Sequence, residues 1–182
     1  MGVEMRLTLK TLSIIFSYPS EDLEELVRNR EVVKPLLIGE DGEAAALIME
    51  FLEKLDLERA DEEYVAVFEM PPKCSIYAHT YLLKGKEDMV GQLLLEVKSH
   101  YKAKQLDMPV DREIPTYLPA MLEYLALVYD EDPKAARRFA KKYLQPWVGE
   151  LASCLEKNRS LWSLPAKALK RVVDKIAEGR GP

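Results

Sequence analysis

Apolar residues recur along this chain at three- and four-residue steps and almost never in strict alternation. Met5, Leu9, Leu12 and Phe16 make a first stripe, and Leu47, Ile48, Phe51, Leu52 and Leu55 a second. Met89, Leu93, Val97 and Tyr101 make a third, widened by Val90 and Leu94, and Leu118, Met121, Leu122, Leu125 and Val128 a fourth. Phe139, Tyr143, Trp147, Leu151 and Leu155 follow, then Leu169, Val172, Val173 and Ile176. Such spacing lays side chains on one face of a 3.6-residue helix. Asp41-Gly42 could mark a hairpin turn, but an alanine-rich helical pattern follows it instead of a β-branched run. The expectation is one all-α domain over residues 1–182, built from about eight helices.

Boundary residues agree with that pattern. Pro19-Ser20-Glu21-Asp22 reads as a stop, an N-cap and an acidic first turn. Asp132-Pro133 sets a capping acid before a proline at the first helical position. Leu164-Pro165 opens the last helix, and Gly179 follows its basic end. Pro146 is expected to kink a long helix over residues 133–157. Gly91 inside the third stripe predicts a close helix approach there. Two segments resist a helical reading: residues 70–86, with Pro71-Pro72, and residues 106–119, a hinge carrying Pro109, Pro115 and Pro119. Loops of this kind in a helical body are natural places for function.

The composition excludes several classes. With 182 residues, 48% of them apolar, the chain can build a core without cross-links. Two cysteines, Cys74 and Cys154, are no disulfide framework, and without a secretory signal a reducing cytoplasm is the simpler setting. The longest uncharged runs, residues 11–20 and 74–83, are too short to span a bilayer, which takes about 20 residues. Residues 1–70 carry 17 acids against 7 bases, whereas residues 71–182 carry 14 against 19. A field polarised in this way can orient a charged partner. The overall acidity argues against nucleic acid.

Catalytic chemistry is hard to find. Cys74, Cys154, His79 and His100 are the whole soft-ligand supply, with no CxxC and no HExxH, so no metal site and no cofactor is expected. Cys74 and His79 are near enough in sequence for a dyad, yet nothing beside them supplies an orienting group. Gly85-Lys86 lacks the rest of a phosphate loop. Arg137, Arg138, Lys141 and Lys142 read as the wet side of an amphipathic helix. What remains is a concentration of tyrosine, nine against four phenylalanines, with Tyr64, Tyr77, Tyr81, Tyr117 and Tyr124 joined by Phe68 in the middle of the chain. Tyrosine suits a surface that is sometimes wet and sometimes covered, and it equally suits the edge of a core.

Two strings in this region resemble a known family. EEYVAVFEMPPKCSIYAHTYLL, running through Tyr64, Phe68, Cys74, Tyr77 and Tyr81, is similar to the Y-x-x-x-F-[DE] … C-[SA]-x-Y segment of NarJ-type nitrate reductase assembly chaperones. REIPTYLPAMLEYL, residues 112–125, is similar to that family's proline-rich segment, which ends in L-E-[FY]. The likeness covers about residues 60–130 and places the chain in the wider TorD/DmsD group. It departs at Thr116-Tyr117, where the family usually has Asp-His, so roles of that acid or imidazole do not carry over.

The resemblance implies a cytoplasmic, non-enzymatic chaperone. Its partner would be the N-terminal leader, or remnant leader, of a molybdenum-containing reductase catalytic subunit, held until the molybdenum cofactor is inserted. Contact with molybdenum cofactor biosynthesis proteins stays open, as does a monomer against a helix-swapped dimer; membrane insertion is not expected. The alternative is a stable adaptor or accessory subunit of a redox complex. The candidate client-binding residues are Tyr64, Phe68, Glu69, Tyr77, Tyr81, Pro115, Tyr117, Pro119, Glu123 and Tyr124. They are expected to line a groove for an apolar helix, with Glu62, Glu63, Glu69 and Glu123 drawing its basic end.

Overall fold

A computed structural model describes residues 2–106 and 114–179. The regular elements of the described residues are α-helices: α1 (Gly2–Phe16), α2 (Glu21–Arg28), α3 (Arg30–Glu40), α4 (Gly42–Lys54), α5 (Ala60–Phe68), α6 (His79–Leu82), α7 (Val90–Ala103), α8 (Leu118–Glu131), α9 (Pro133–Tyr143), α10 (Gln145–Lys157) and α11 (Ser163–Ala177), with one short 3-10 turn before α7. Eleven helices among the described residues exceed the expected eight because short pieces separate at capping positions. Pro146 does more than kink its helix. The chain breaks at Leu144, and Pro146 starts α10 where its missing N–H costs nothing. Asp41 accepts from the Glu43 and Ala44 amides to open α4, and Asp132 accepts from Ala135 to open α9. Pro109, Arg112 and Glu113 of the hinge lie outside the described residues.

Two helices are buried on nearly every side and organise the rest. α1 buries Met5, Leu9, Leu12, Ile15 and Phe16, and also Thr8, Thr11 and Ser13. α8, against which α1 lies, buries Leu118, Met121, Leu122, Tyr124, Leu125 and Val128. α11 packs against α4, α9 and α10, and α3 closes over α1 and α4. One continuous apolar core runs through all of them.

Burying α1 creates a backbone problem. The last carbonyls of a helix have no partner within it, and in a dry interior an unmet carbonyl costs about 1–3 kcal/mol. No glycine follows Phe16 to turn the chain back. Side chains from far along the sequence meet the need instead. The Trp162 indole N–H donates to Ile15 O at 2.9 Å and the Tyr64 hydroxyl donates to Phe16 O at 2.6 Å. Ser13 Oγ adds a bond to Pro119 O at 3.0 Å, tying α1 to the first turn of α8. Phe51, Phe68 and Tyr64 surround the Trp162 ring edge-on.

Two expectations fail here. In the third stripe only Val97 and Tyr101 are buried; Met89 is 43% exposed, and Leu95, outside the stripe, is 71% exposed. Gly91 faces open space, with nothing within 4 Å of a Cβ built there. α7 buries its C-terminal end, whereas in its N-terminal half Leu93 packs only partly against the core. The cysteines also differ from expectation: Cys74 and Cys154 are joined as a disulfide, with Cα atoms 5.9 Å apart. Their separation of 80 residues gave the sequence no reason to pair them. The pairing removes the Cys74–His79 dyad.

Tyr64→Phe keeps the ring and deletes the donor to Phe16 O. It should cost about 1–3 kcal/mol with no change of fold, read from urea unfolding by circular dichroism. A cost below about 0.5 kcal/mol would show that another group meets that carbonyl.

Candidate functional site

The two segments without helix, residues 69–78 and 114–117, run against each other. Tyr77 and Tyr117 form an isolated antiparallel bridge. The Ala78 amide donates to Thr116 O at 3.0 Å, and the Leu118 amide donates to Ile76 O at 3.1 Å. The two tyrosine rings lie 5.5 Å apart. Since Tyr64 has one hydroxyl hydrogen and gives it to Phe16 O, the 2.9 Å contact between the Tyr64 and Tyr117 hydroxyls has Tyr117 as donor. The end of α1 is thereby wired to the junction.

Other tyrosines do similar work. Tyr101 donates to Pro115 O and Tyr81 to Ser75 O, each at 2.6 Å. Tyr81 also stacks on Trp147 at 4.9 Å. Irregular backbone inside a folded body must find partners for its carbonyls, and a tyrosine reaches from the core with a donor at its tip. That accounts for part of the excess of tyrosine over phenylalanine. Burial raises the hydroxyl pKa of all three clamps, Tyr81 to about 12, so none ionises near neutrality.

The ten candidate residues therefore do not line one groove. Tyr64, Phe68, Pro119 and Tyr124 are buried. Tyr124 belongs to a separate aromatic group with Tyr101 and Phe139. Tyr77, Tyr81, Pro115 and Tyr117 are half-buried about the junction, and Glu69 and Glu123 are exposed. Thr116, which stands in place of the family's usual acid, is fully buried, with Oγ1 2.6 Å from Nδ1 of His79. Burial lowers the His79 pKa below its ordinary 6.5, and burial does the same to His100.

A cleft of about 500 Å³ opens between α1 and α8, beginning one turn from Tyr117 where Ser13 meets Pro119. Its apolar wall is Ile14, Leu106, Ala126 and Leu127. Asp22, Glu123, Asp130 and Glu131 stand at its edge with Arg6 and Lys10. Arg6 pairs with Asp130 at 3.7 Å and Lys104 with Glu131 at 3.3 Å. No ion pair holds Asp22 or Glu123 among the described residues. Desolvation raises the Glu123 pKa, and Lys10 opposes it. Sequence reasoning found Glu123 and missed the α1 side, since Arg6, Lys10 and Ile14 lie outside the apolar stripe of that helix and far in sequence from Glu123. Among the described residues no group of acids, histidines and cysteines could hold a metal ion, and no helix is long and apolar enough to cross a membrane.

The two histidines set a pH window. A base whose folded pKa lies below its unfolded one stabilises the fold fully above the unfolded value and progressively less as pH falls through the folded value. Folding stability should decline as pH drops below about 6.5, and His79→Gln should flatten that decline. Nuclear magnetic resonance titration of the His79 ring should give a midpoint below that of a free histidine; a midpoint at or above it refutes the assignment.

Comparison with known proteins places this architecture. Residues 36–153 match the family model described as nitrate reductase delta subunit. The chain is 33% identical over 161 residues to a Bacillus subtilis (strain 168) protein named "Probable nitrate reductase molybdenum cofactor assembly chaperone NarJ", covering 88% of this chain and 84% of that one. A crystal structure from Archaeoglobus fulgidus, titled as a redox enzyme maturation protein, superposes with a TM-score of 0.68 over 94% of both chains at 22% identity, which shows a shared fold. The chain belongs to the nitrate reductase delta subunit family, among the NarJ-type assembly chaperones that its two tyrosine segments resemble.

Proposed function

We propose that this protein is a cytoplasmic maturation chaperone that holds the N-terminal segment of a molybdenum-containing reductase catalytic subunit, a nitrate reductase or a close relative, while cofactor insertion and assembly proceed. It is not an enzyme: the relatives are named as an assembly chaperone and a maturation protein, not as catalysts. The observation that carries the reading is the cleft beside the junction, apolar along one wall and fringed by Asp22 and Glu123. An amphipathic helix with a basic flank fits such a surface. Tyr77, Tyr117, Glu69 and Glu123 offer accessible groups. Tyr64, Phe68, Pro119 and Tyr124 act from beneath, by holding the junction in place.

Magnitudes divide the binding into two parts. Burying about 300 Å² of apolar surface gives roughly 7–8 kcal/mol gross. Ordering a flexible segment removes about 2–5 kcal/mol of that. A micromolar complex needs about 8 kcal/mol, so charge must supply the difference.

A second reading has one observation in its favour, the family's description as a subunit. On that reading the protein is a standing component of a redox complex. Purification from cells separates the two: a chaperone accompanies only the enzyme lacking molybdenum, and a subunit accompanies the loaded enzyme as well.

The binding test uses a synthetic peptide of the first 20 or so residues of the host's nitrate reductase catalytic subunit. Its affinity should fall at least tenfold between low and high salt. Tyr117→Ala and Glu123→Gln should each weaken it about tenfold, roughly 1.4 kcal/mol, with the melting temperature of Glu123→Gln unchanged. A salt-independent affinity removes the electrostatic part, and normal binding by both variants moves the site elsewhere.

A further inference from the structure

We infer that Cys74 and Cys154 form a thiol–disulfide exchange site, whose co-reactant is a dithiol reductant and whose state sets how firmly residues 69–78 are seated against residues 114–118. The inference rests on the cytoplasmic reading above, since in a reducing compartment a lone disulfide turns over instead of persisting as a staple.

Three observations support it. The disulfide joins the segment carrying Tyr77 to the last turn of α10. Residues 69–73 are exposed, Met70 by 79%, and Cys74 is the buried anchor at their end, 2% exposed. Besides the disulfide, this stretch is held by the Glu69 and Met70 amides on Val65 O, at 3.0 and 3.1 Å, and by the Lys73 and Cys74 amides, which share one acceptor, Val67 O, at 2.8 and 3.1 Å. Beyond Cys74 come the two bridge bonds, Ala78 to Thr116 and Leu118 to Ile76. A covalent tether three residues from Tyr77 therefore adds to a short contact that otherwise rests on these few bonds and the Tyr81 bond to Ser75 O.

The sulfurs are also placed for exchange. Cys154 is half-exposed, so it is the sulfur a reductant reaches first. The Asn158 side-chain N–H group lies 3.6 Å from Cys74 Sγ and 3.7 Å from Cys154 Sγ. A donor at that position favours whichever sulfur becomes a thiolate. The reductant's thiolate attacks Cys154 Sγ, the S–S bond breaks, and its electron pair leaves on Cys74, which takes a proton. The reductant's second thiolate then displaces Cys154 from the mixed disulfide, and Cys154 takes the second proton. Two electrons and two protons pass to the pair, and the reductant departs as its own disulfide.

The test uses the full chain in dithiothreitol and in glutathione redox buffers. Thiols are counted by alkylation and mass spectrometry, and amide hydrogen exchange is followed in the same samples. Expected is reversible appearance of two thiols. With it, protection at the Lys73, Cys74, Ala78 and Leu118 amides should fall at least tenfold while amides in the middle of α8 stay unchanged. Cys74→Ser and Cys154→Ser should each show the loosened pattern without reductant; should either fail to fold, reduced wild type alone decides. A disulfide that resists glutathione buffers overturns the inference, and so does reduction that leaves those four amides protected. Alkylation in intact cells that finds the pair permanently oxidised refutes the cytoplasmic premise. If the reductase peptide binds in neither state, the chaperone reading fails while the exchange result still stands.

Discussion

The fold depends on closing the buried end of one helix. α1 sits inside the body, and its last carbonyls cannot turn to water. Two donors complete it, an indole from beyond α10 and a phenol from α5. Each belongs to a large buried ring, so one side chain fills space and satisfies the backbone together. The core aromatics gather there for the same reason: Phe51, Phe68, Tyr64 and Trp162 form a ring cluster around the end of α1.

From that closure the functional region follows. Tyr64 spends its hydrogen on Phe16 O and receives one from Tyr117. The position of Tyr117 is thus referred to the deepest part of the core, although its ring is partly exposed. Tyr101 and Tyr81 fix the backbone on either side. The result is a short stretch of extended chain pinned inside an otherwise helical protein, next to a cleft where Asp22 and Glu123 are held by no ion pair among the described residues.

Much of the fold was legible because helical burial leaves a period in the sequence. The stripes in α1, α4, α8, α9, α10 and α11 are buried where the period places them, with Leu47 covered only in part. α7 misled because an apolar stripe shows what a helix can bury and not whether a neighbour arrives to cover it. The capping acid Asp132 was readable because it acts within three residues, and Asp41 opens α4 by the same short reach. The site was less legible. The strings containing Tyr64, Tyr77 and Tyr117 identified the family, and the structure brings these three together. Their spacing could not tell a ring that faces outward from one that bonds a distant carbonyl. The Cys74–Cys154 pair and the Arg6 and Lys10 side of the cleft arise from contacts across long stretches of chain, which no local pattern records.

The long reach of the Trp162 bond has a consequence for synthesis. Its two ends are 147 residues apart. At ribosomal rates of about 5–20 residues per second, roughly 7–30 s separate the making of Ile15 from that of Trp162. Throughout that interval α1 lacks the indole, and the Tyr64 hydroxyl and α8 arrive only partway through it. The nascent chain then carries an apolar helix whose buried end is incomplete, so a protein proposed above to hold another polypeptide's start passes through the same predicament at its own birth.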